Sequence, residues 1–323
     1  MKKHTFIILI ITCLLLLVFL GNQYNSKERK VKILLSTYDV NEKFPALIAN
    51  EIIKYGNENN IEVHYKDGKG SRENQITDLL AAKNNGYDGI ICIPLDDGVA
   101  SKISNEVNGI PIVFVNNNPG EEILKKDKII YVGSKEEEAA EFQAEYICQK
   151  FYNKPNLNIV IFEGAQGHDA TLRRTKAFKN YLSERNINAT YVFEDIANWK
   201  TFDAYKKFNI FLRTNQPFDC VVCNNDAMAL GVCESYKENN IEFDEHPILG
   251  IDATCEGIES IRNNEMKLTV YQSAVNEGKY SIDAIKLMLE GKSIDKFTYT
   301  DKECKNIWIP LKKVTSDNVD NIN

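Results

Sequence analysis

Val221-Val222-Cys223-Asn224-Asn225-Asp226-Ala227-Met228-Ala229-Leu230-Gly231 runs an apolar strand straight into a helix. Three amide or carboxylate side chains mark the junction. Such a side chain sits at the carboxyl end of a parallel strand, beside a helix amino terminus, where open α/β sheets bind ligands. The pattern recurs. Residues 31–35 lead into Ser36-Thr37-Tyr38-Asp39, 111–115 into Asn116-Asn117-Asn118, and 248–251 into Asp252. Amides both donate to and accept from hydroxyls. The set suits a neutral polyhydroxylated ligand better than a phosphate or a metal ion.

Outward from these junctions, strands and helices alternate. Strands are expected over 31–37, 61–66, 88–94, 110–115, 129–132, 158–162, 189–193, 219–223, 247–251, 268–272 and 306–309. Helices are expected over 44–59, 73–85, 135–151, 172–185, 202–214, 227–239, 255–263 and 276–290. Alternation of this kind implies parallel sheets with right-handed crossovers. One sheet of so many strands would be unusually wide, and the pattern restarts near Gly133. The fold class read here is α/β, with two doubly wound parallel-sheet lobes and a polar cleft between them.

Composition narrows the function. With 323 residues, 43% of them hydrophobic and 26% charged, the chain has room for two globular domains. A net charge of -7 argues against nucleic acid, which needs a positive field. His4, His64, His168 and His246 show no metal-ligand spacing. Cys220 and Cys223 fall in a predicted strand, where an offset of three sends them to opposite faces. No disulfide, metal or cofactor is expected. No Gly-x-Gly-x-x-Gly, Walker sequence or nucleophile elbow appears in its proper context, so no enzyme is expected.

Met1-Lys2-Lys3-His4 precedes an apolar run over residues 5–21. The two lysines hold the amino end inside. The run closes without a small-residue cleavage pair, and Cys13 lies mid-run rather than after small residues. An uncleaved single-pass transmembrane helix over 5–21 is therefore expected. A polar linker over 22–30 follows, and the lobes lie outside the cell membrane.

Further landmarks follow in chain order. They are Tyr38 through Phe44, Ile110 through Asn116, Tyr131-Val132-Gly133, Gly167-His168-Asp169, Arg173-Arg174-Thr175, Asn198-Trp199, the 224–231 segment, Gly250-Ile251-Asp252 and Thr269-Val270-Tyr271-Gln272. Together they resemble the type I periplasmic sugar-binding proteins of the ribose and galactose/glucose class, over about 31–316. The resemblance implies three hinge crossings, near Gly133, Gln272 and Cys304. Residues 31–133 plus 273–304 would form the amino-terminal lobe, 134–272 plus 305–316 the other, and 317–323 a tail. A sugar ring would lie between Phe44 and Trp199, and the lobes would close on it. Asn153-Lys154-Pro155-Asn156 stands where hexose binders of this class often carry a calcium loop, so no calcium is expected. Asn117 stands where some pentose binders have arginine or lysine, which leaves the sugar open. The anchored form looks like sugar-sensing proteins beside a membrane sensor histidine kinase, the D-xylose-sensing kind most closely. D-xylose is the favoured monosaccharide, with galactose, glucose and ribose next. The alternative partner is the permease of an ABC importer.

The candidate ligand-binding residues each carry a plainer reading. Asn225 is a ligand amide or a helix N-cap. Asp252 is a charge-assisted hydroxyl acceptor or a cap for the helix that follows. Asn116 shares its stretch with Asn117 and Asn118. Arg174 offers a fork of donors, with Arg173 as its rival. His168 matches the family position, while Asp169 beside it suits a helix amino terminus. Trp199 and Phe44 are sugar platforms or core residues. Glu42 and Asp39 compete for one acceptor role, and Gln272 could serve ligand and hinge together.

Overall fold

The computed structural model describes residues 29–107 and 109–322. Among them, two six-stranded sheets form. The first holds β1 (Val31–Thr37), β2 (Ile61–Asp67), β3 (Gly89–Ile93), β4 (Ile112–Val115), β5 (Ile129–Gly133) and β11 (Asn306–Trp308). Its order is β11-β5-β4-β3-β1-β2. The second holds β6 (Leu157–Glu163), β7 (Ala189–Ile196), β8 (Cys220–Cys223), β9 (Ile248–Leu249), β10 (Met266–Tyr271) and β12 (Lys312–Val314), in the order β12-β10-β9-β8-β6-β7. The two lobes repeat one doubly wound permutation. In each, the strand order reverses beside the first strand, which opens a crevice at the carboxyl ends.

The central strands β3, β4, β5, β8 and β9 read as unbroken apolar runs because helices cover both faces of each sheet, while the edge strands β2 and β7 carry polar, partly exposed residues. Residue parity sorts them. Ile33, Leu35, Ile91, Ile93, Val113 and Val115 pack into one core of the first lobe. Leu34, Ile90, Cys92, Ile112 and Phe114 pack into the other. Cys223 and Cys220 likewise enter opposite cores of the second lobe, as the period of two requires.

The first crossing follows β5 and the second follows β10. β5 ends at Gly133 in the first sheet, and α4 (Glu136–Lys150) packs on the second. β10 lies in the second sheet, and α9 (Ala274–Leu289) returns to the first. The third crossing is a correction. β11 pairs parallel with β5, Asn306 opposite Tyr131, so it belongs to the first lobe. β12 pairs antiparallel with β10 in the second. The chain therefore crosses between Trp308 and Lys312, not at Cys304. Ile307 and Ile309 fill the first lobe's core, which is what holds that strand there. Ser134 Oγ donates to the Ile309 carbonyl at 3.0 Å and ties the first crossing to the third.

Smaller differences have local causes. α3 (Asp97–Glu106) was not expected, because Gly98, Ser101 and Ser104 are weak helix formers. Asp96 starts it by accepting from the Val99 amide at 3.0 Å, and burial of Val99, Ala100 and Ile103 holds it. α2 (Arg72–Leu80) stops short of residue 85, and a turn follows with Gly86 at φ +72°. The remaining helices are α1 (Lys43–Glu58), α5 (Asp169–Glu184), α6 (Thr201–Leu212), α7 (Asp226–Asn239) and α8 (Cys255–Arg262). The expected transmembrane helix over 5–21, and the linker up to residue 28, lie outside the described residues. Among the described residues, no helix is long and apolar enough to cross a membrane.

Candidate functional site

The carboxyl ends of the two sheets face each other across a cleft of about 450 Å³. The loop after β1 brings Tyr38, Asp39 and Glu42, and the loop after β4 brings Asn116 and Asn117. Phe44, in the first turn of α1, completes that wall. The second lobe contributes His168, Arg174, Trp199, Asn225 and Asp252. The walls touch at the rim. The Tyr38 ring meets the His168 ring edge-on at 5.3 Å, and Lys43 Nζ pairs with Glu256 at 2.7 Å.

Arg174 is the most constrained group in the cleft, being only 4% exposed. Its Nε donates to Glu136 Oε2 at 2.5 Å, and its Nη1 donates to the Asn224 carbonyl at 2.6 Å. Asp252 Oδ1 lies 3.9 Å from Nη1. Gln272 Nε2 donates to the same carboxylate at 3.0 Å from behind. Burial pushes the Asp252 carboxyl well up from its ordinary range, and the Arg174 charge only partly opposes this. The reason is geometric: the guanidinium is already engaged by Glu136.

Asn225 does both things its sequence position allows. Its Oδ1 accepts from the Met228 amide at 3.0 Å, capping α7, while the residue lines the cleft and its Nδ2 donates to the Trp199 carbonyl at 3.5 Å. Asp252 is not a cap; Thr254 caps α8 by accepting from the Gly257 amide at 3.1 Å. Asp226, directly beneath, accepts from Thr254 N at 2.9 Å and Thr269 Oγ1 at 2.6 Å. Its own carboxyl is pushed up to about 7, chiefly by burial. Those bonds hold the turn through Asp252 (φ 120°) and Ala253 (φ 49°), a backbone that non-glycine residues rarely adopt. Asn116 (φ 64°), Asn198 (φ 51°) and Trp199 (φ 63°) share that feature. Backbone strain of this kind clusters at functional sites.

Trp199 Nε1 donates to His168 Nδ1 at 3.2 Å, and burial lowers the His168 pKa, so the imidazole is the neutral acceptor this bond needs. The Arg174 guanidinium lies 5.8 Å from the indole centroid. Glu42 has its carboxyl raised to about 7, first by burial and then by Asp39, with Lys200 opposing. Asp39 is committed within its own loop, accepting from the Asn41 backbone amide at 2.9 Å.

A profile of the periplasmic binding protein domain matches residues 33–293. The chain belongs to the periplasmic binding protein family. It is 26% identical over 318 residues to a D-galactose/methyl-galactoside binding periplasmic protein of Haemophilus influenzae, covering 94% of this chain and 95% of that one. It is 23% identical to a ribose import binding protein of Bacillus subtilis, covering 85% and 87%. A Bacillus halodurans ABC transporter solute binding protein, solved with bound myo-inositol, shares the fold with a TM-score of 0.80 at 24% identity, over 92% of this chain and 98% of that one.

In this family member, nearly all the residues singled out from sequence reach the cleft: Glu42, Phe44, Asn116, His168, Arg174, Trp199, Asn225 and Asp252 line it. Two do not. Asp169 turns away to pair with Arg173 at 2.6 Å, one turn along α5, and Arg173 also holds Glu137 at 2.8 Å. That pairing takes Arg173 out of the cleft and leaves Arg174 in it, since adjacent helical residues point about 100° apart. Gln272 stands behind Asp252 and orients it. Phe44 belongs to the first lobe's core as well as to the wall. Sequence reasoning did not select Tyr38, Asn117, Lys200 or Thr254, which also line the cleft. Tyr38 follows the end of β1 directly and Asn117 lies one residue further past the end of β4, which was the available signal. Lys200 and Thr254 carry none.

The indole seat can be tested from below. A Cβ at Gly164 would fall 2.0 Å from the Trp199 ring. Gly164→Ala should therefore displace the indole and weaken ligand binding at least about tenfold, roughly 1.4 kcal/mol, while the chain still unfolds cooperatively. Titration calorimetry beside a urea curve checks this; unaltered affinity would mean that the indole position does not matter to the ligand.

Proposed function

We propose that this protein is an extracytoplasmic receptor that closes its lobes on a free monosaccharide, or a cyclitol of similar size, and releases it unchanged. The observation that carries the reading is the composition of the cleft. One half-buried indole stands beside amides, a carboxylate and a guanidinium, all at the carboxyl ends of two facing sheets. Flat aromatic faces stack on sugar C–H groups, and planar amides, carboxylates and guanidinium forks pair with vicinal hydroxyls. D-xylose is the first candidate and galactose, glucose or ribose the next. Myo-inositol joins them because a relative in fold is described with it bound.

The apolar run over 5–21 supports a membrane-anchored form that reports closure to a sensor histidine kinase. A tethered receptor meets such a partner at raised effective concentration. The second reading is the binding subunit of an ABC importer, favoured by relatives described in import terms.

A thermal-shift panel of D-xylose, D-galactose, D-glucose, D-ribose and myo-inositol on the full chain tests the ligand reading. A binder at a hundred times its dissociation constant should add about 2.7 kcal/mol of stability. A panel with no shift would reject this ligand class. Mass spectrometry of the membrane-purified protein tests the anchor, since a mature chain beginning after residue 21 would remove it. If deleting the gene abolished uptake but left sugar-induced transcription intact, the importer reading would prevail.

A further inference from the structure

Glu277 sits in the first turn of α9, immediately after the second crossing, and is fully buried. Neither of its carboxylate oxygens has a hydrogen-bond partner among the described residues. α9 packs with the first lobe. The charges that face Glu277 come from the second: Glu136 at the start of α4, Arg174 on α5 and Asp252 after β9. Tyr131 of β5 feels it from the first lobe, and Glu51 of α1 lies against the neighbouring Gly278. Three buried carboxyl groups thus lie within the electrostatic reach of one guanidinium, which is spent on Glu136 at 2.5 Å. A buried, unpaired carboxylate is too costly to keep ionised.

We propose that Glu277 is a hinge proton switch: neutral when the lobes are closed, ionised when they separate, so that closure on a ligand takes up a proton. Opening carries Glu277 away from Glu136 and Asp252 and admits water to the crossing. Burial, then Glu136, raises its pKa in the closed form. The sign follows. A group with a higher pKa in the closed state binds its proton there, so ligand affinity falls as pH rises, by up to about tenfold per pH unit for one proton. Glu42 and Asp226, each raised to about 7, and Asp252 contribute slopes of their own. The decisive quantity is therefore the difference made by one substitution, Glu277→Gln, which keeps shape and neutrality.

The inference rests on the closing-receptor reading, and three measurements on the full chain keep the two apart. Without ligand, the melting temperatures of wild type and E277Q should agree near pH 4–5 and diverge as pH rises, the variant becoming the more stable. A raised folded-state pKa costs stability above the unfolded-state value of about 4.3. A gap that does not change with pH, in a ligand-free chain that scattering shows to be closed at low pH, would overturn the buried proton. Small-angle scattering of the ligand-free chain should show wild type expanding with pH more than E277Q does. Equal profiles would overturn the coupling to closure whatever the ligand. Calorimetry with D-xylose and with myo-inositol, in buffers of different ionisation enthalpy, should give fewer protons taken up per ligand by E277Q, at similar affinity near pH 5. Equal uptake would overturn the link to binding. No heat from either probe would reject the ligand reading and leave the hinge proton to the first two measurements.

Discussion

Arg174→Leu should lower stability by about 3–5 kcal/mol and abolish ligand binding in the protein that still folds. The stability loss comes from what is left behind. Glu136 is 4% exposed and would lose the Nε donor that holds it at 2.5 Å. Removing one partner of a buried pair strands the other charge, which is where a cost of that size arises. The Asn224 carbonyl also loses its donor, right at the strand end that forms the cleft. Urea denaturation with a common slope would report the loss as a lower midpoint. The deficit should shrink as pH falls, because a protonated Glu136 needs no counter-charge, and burial already raises its pKa. Arg174→Lys separates the two effects: a compact ammonium restores part of the charge balance but cannot fork toward both Glu136 and a ligand hydroxyl. It should recover stability more than affinity. An Arg174→Leu midpoint equal to wild type at pH 8 would mean that Glu136 is not held as a carboxylate.

Trp199→Ala should weaken ligand binding by about 30- to 150-fold while leaving cooperative unfolding in place. If about 100 Å² of indole face is covered by the sugar, its burial contributes about 2–3 kcal/mol. The indole is only half-buried and stands on Gly164, with the Nε1 bond to His168 fixing its tilt. Its role is therefore set by the cleft more than by the core, although the ring packs at the core's edge. Calorimetry on the variant, beside its urea curve, decides. Intact affinity with a broadened or lowered unfolding transition would assign the ring to the core instead.

The two lobes were legible without coordinates. Strands buried on both faces must be apolar at every position, and the crossover helices between them must alternate with the strands. Residues 33–35, 111–115 and 221–223 announce themselves on that ground alone. The cleft residues were legible for a related reason. A polar side chain placed directly after such a run stands at the carboxyl edge, whichever lobe it belongs to. Asn116, Asn225 and Asp252 followed from that, and the landmarks in family order added His168, Arg174 and Trp199.

Tertiary structure decided what local pattern leaves degenerate. Asn306-Ile307-Trp308-Ile309 could complete either sheet, and only the pairing of Asn306 with Tyr131 assigns it to the first. Asp169, Arg173 and Arg174 are near neighbours on one helix; the reach of Glu136 and Glu137 from α4 sorts them into a cleft residue and a surface pair. Glu277 is the plainest case. In sequence it is one acidic residue in the first turn of an amphipathic helix, where the helix dipole alone would account for it. Its burial within the electrostatic reach of Glu136, Arg174 and Asp252 depends on how two lobes meet at three crossings. Apolar periodicity is a property of one segment and can be read from that segment. The balance of buried charge is a property of segments far apart in the chain, and it exists only once they are brought together.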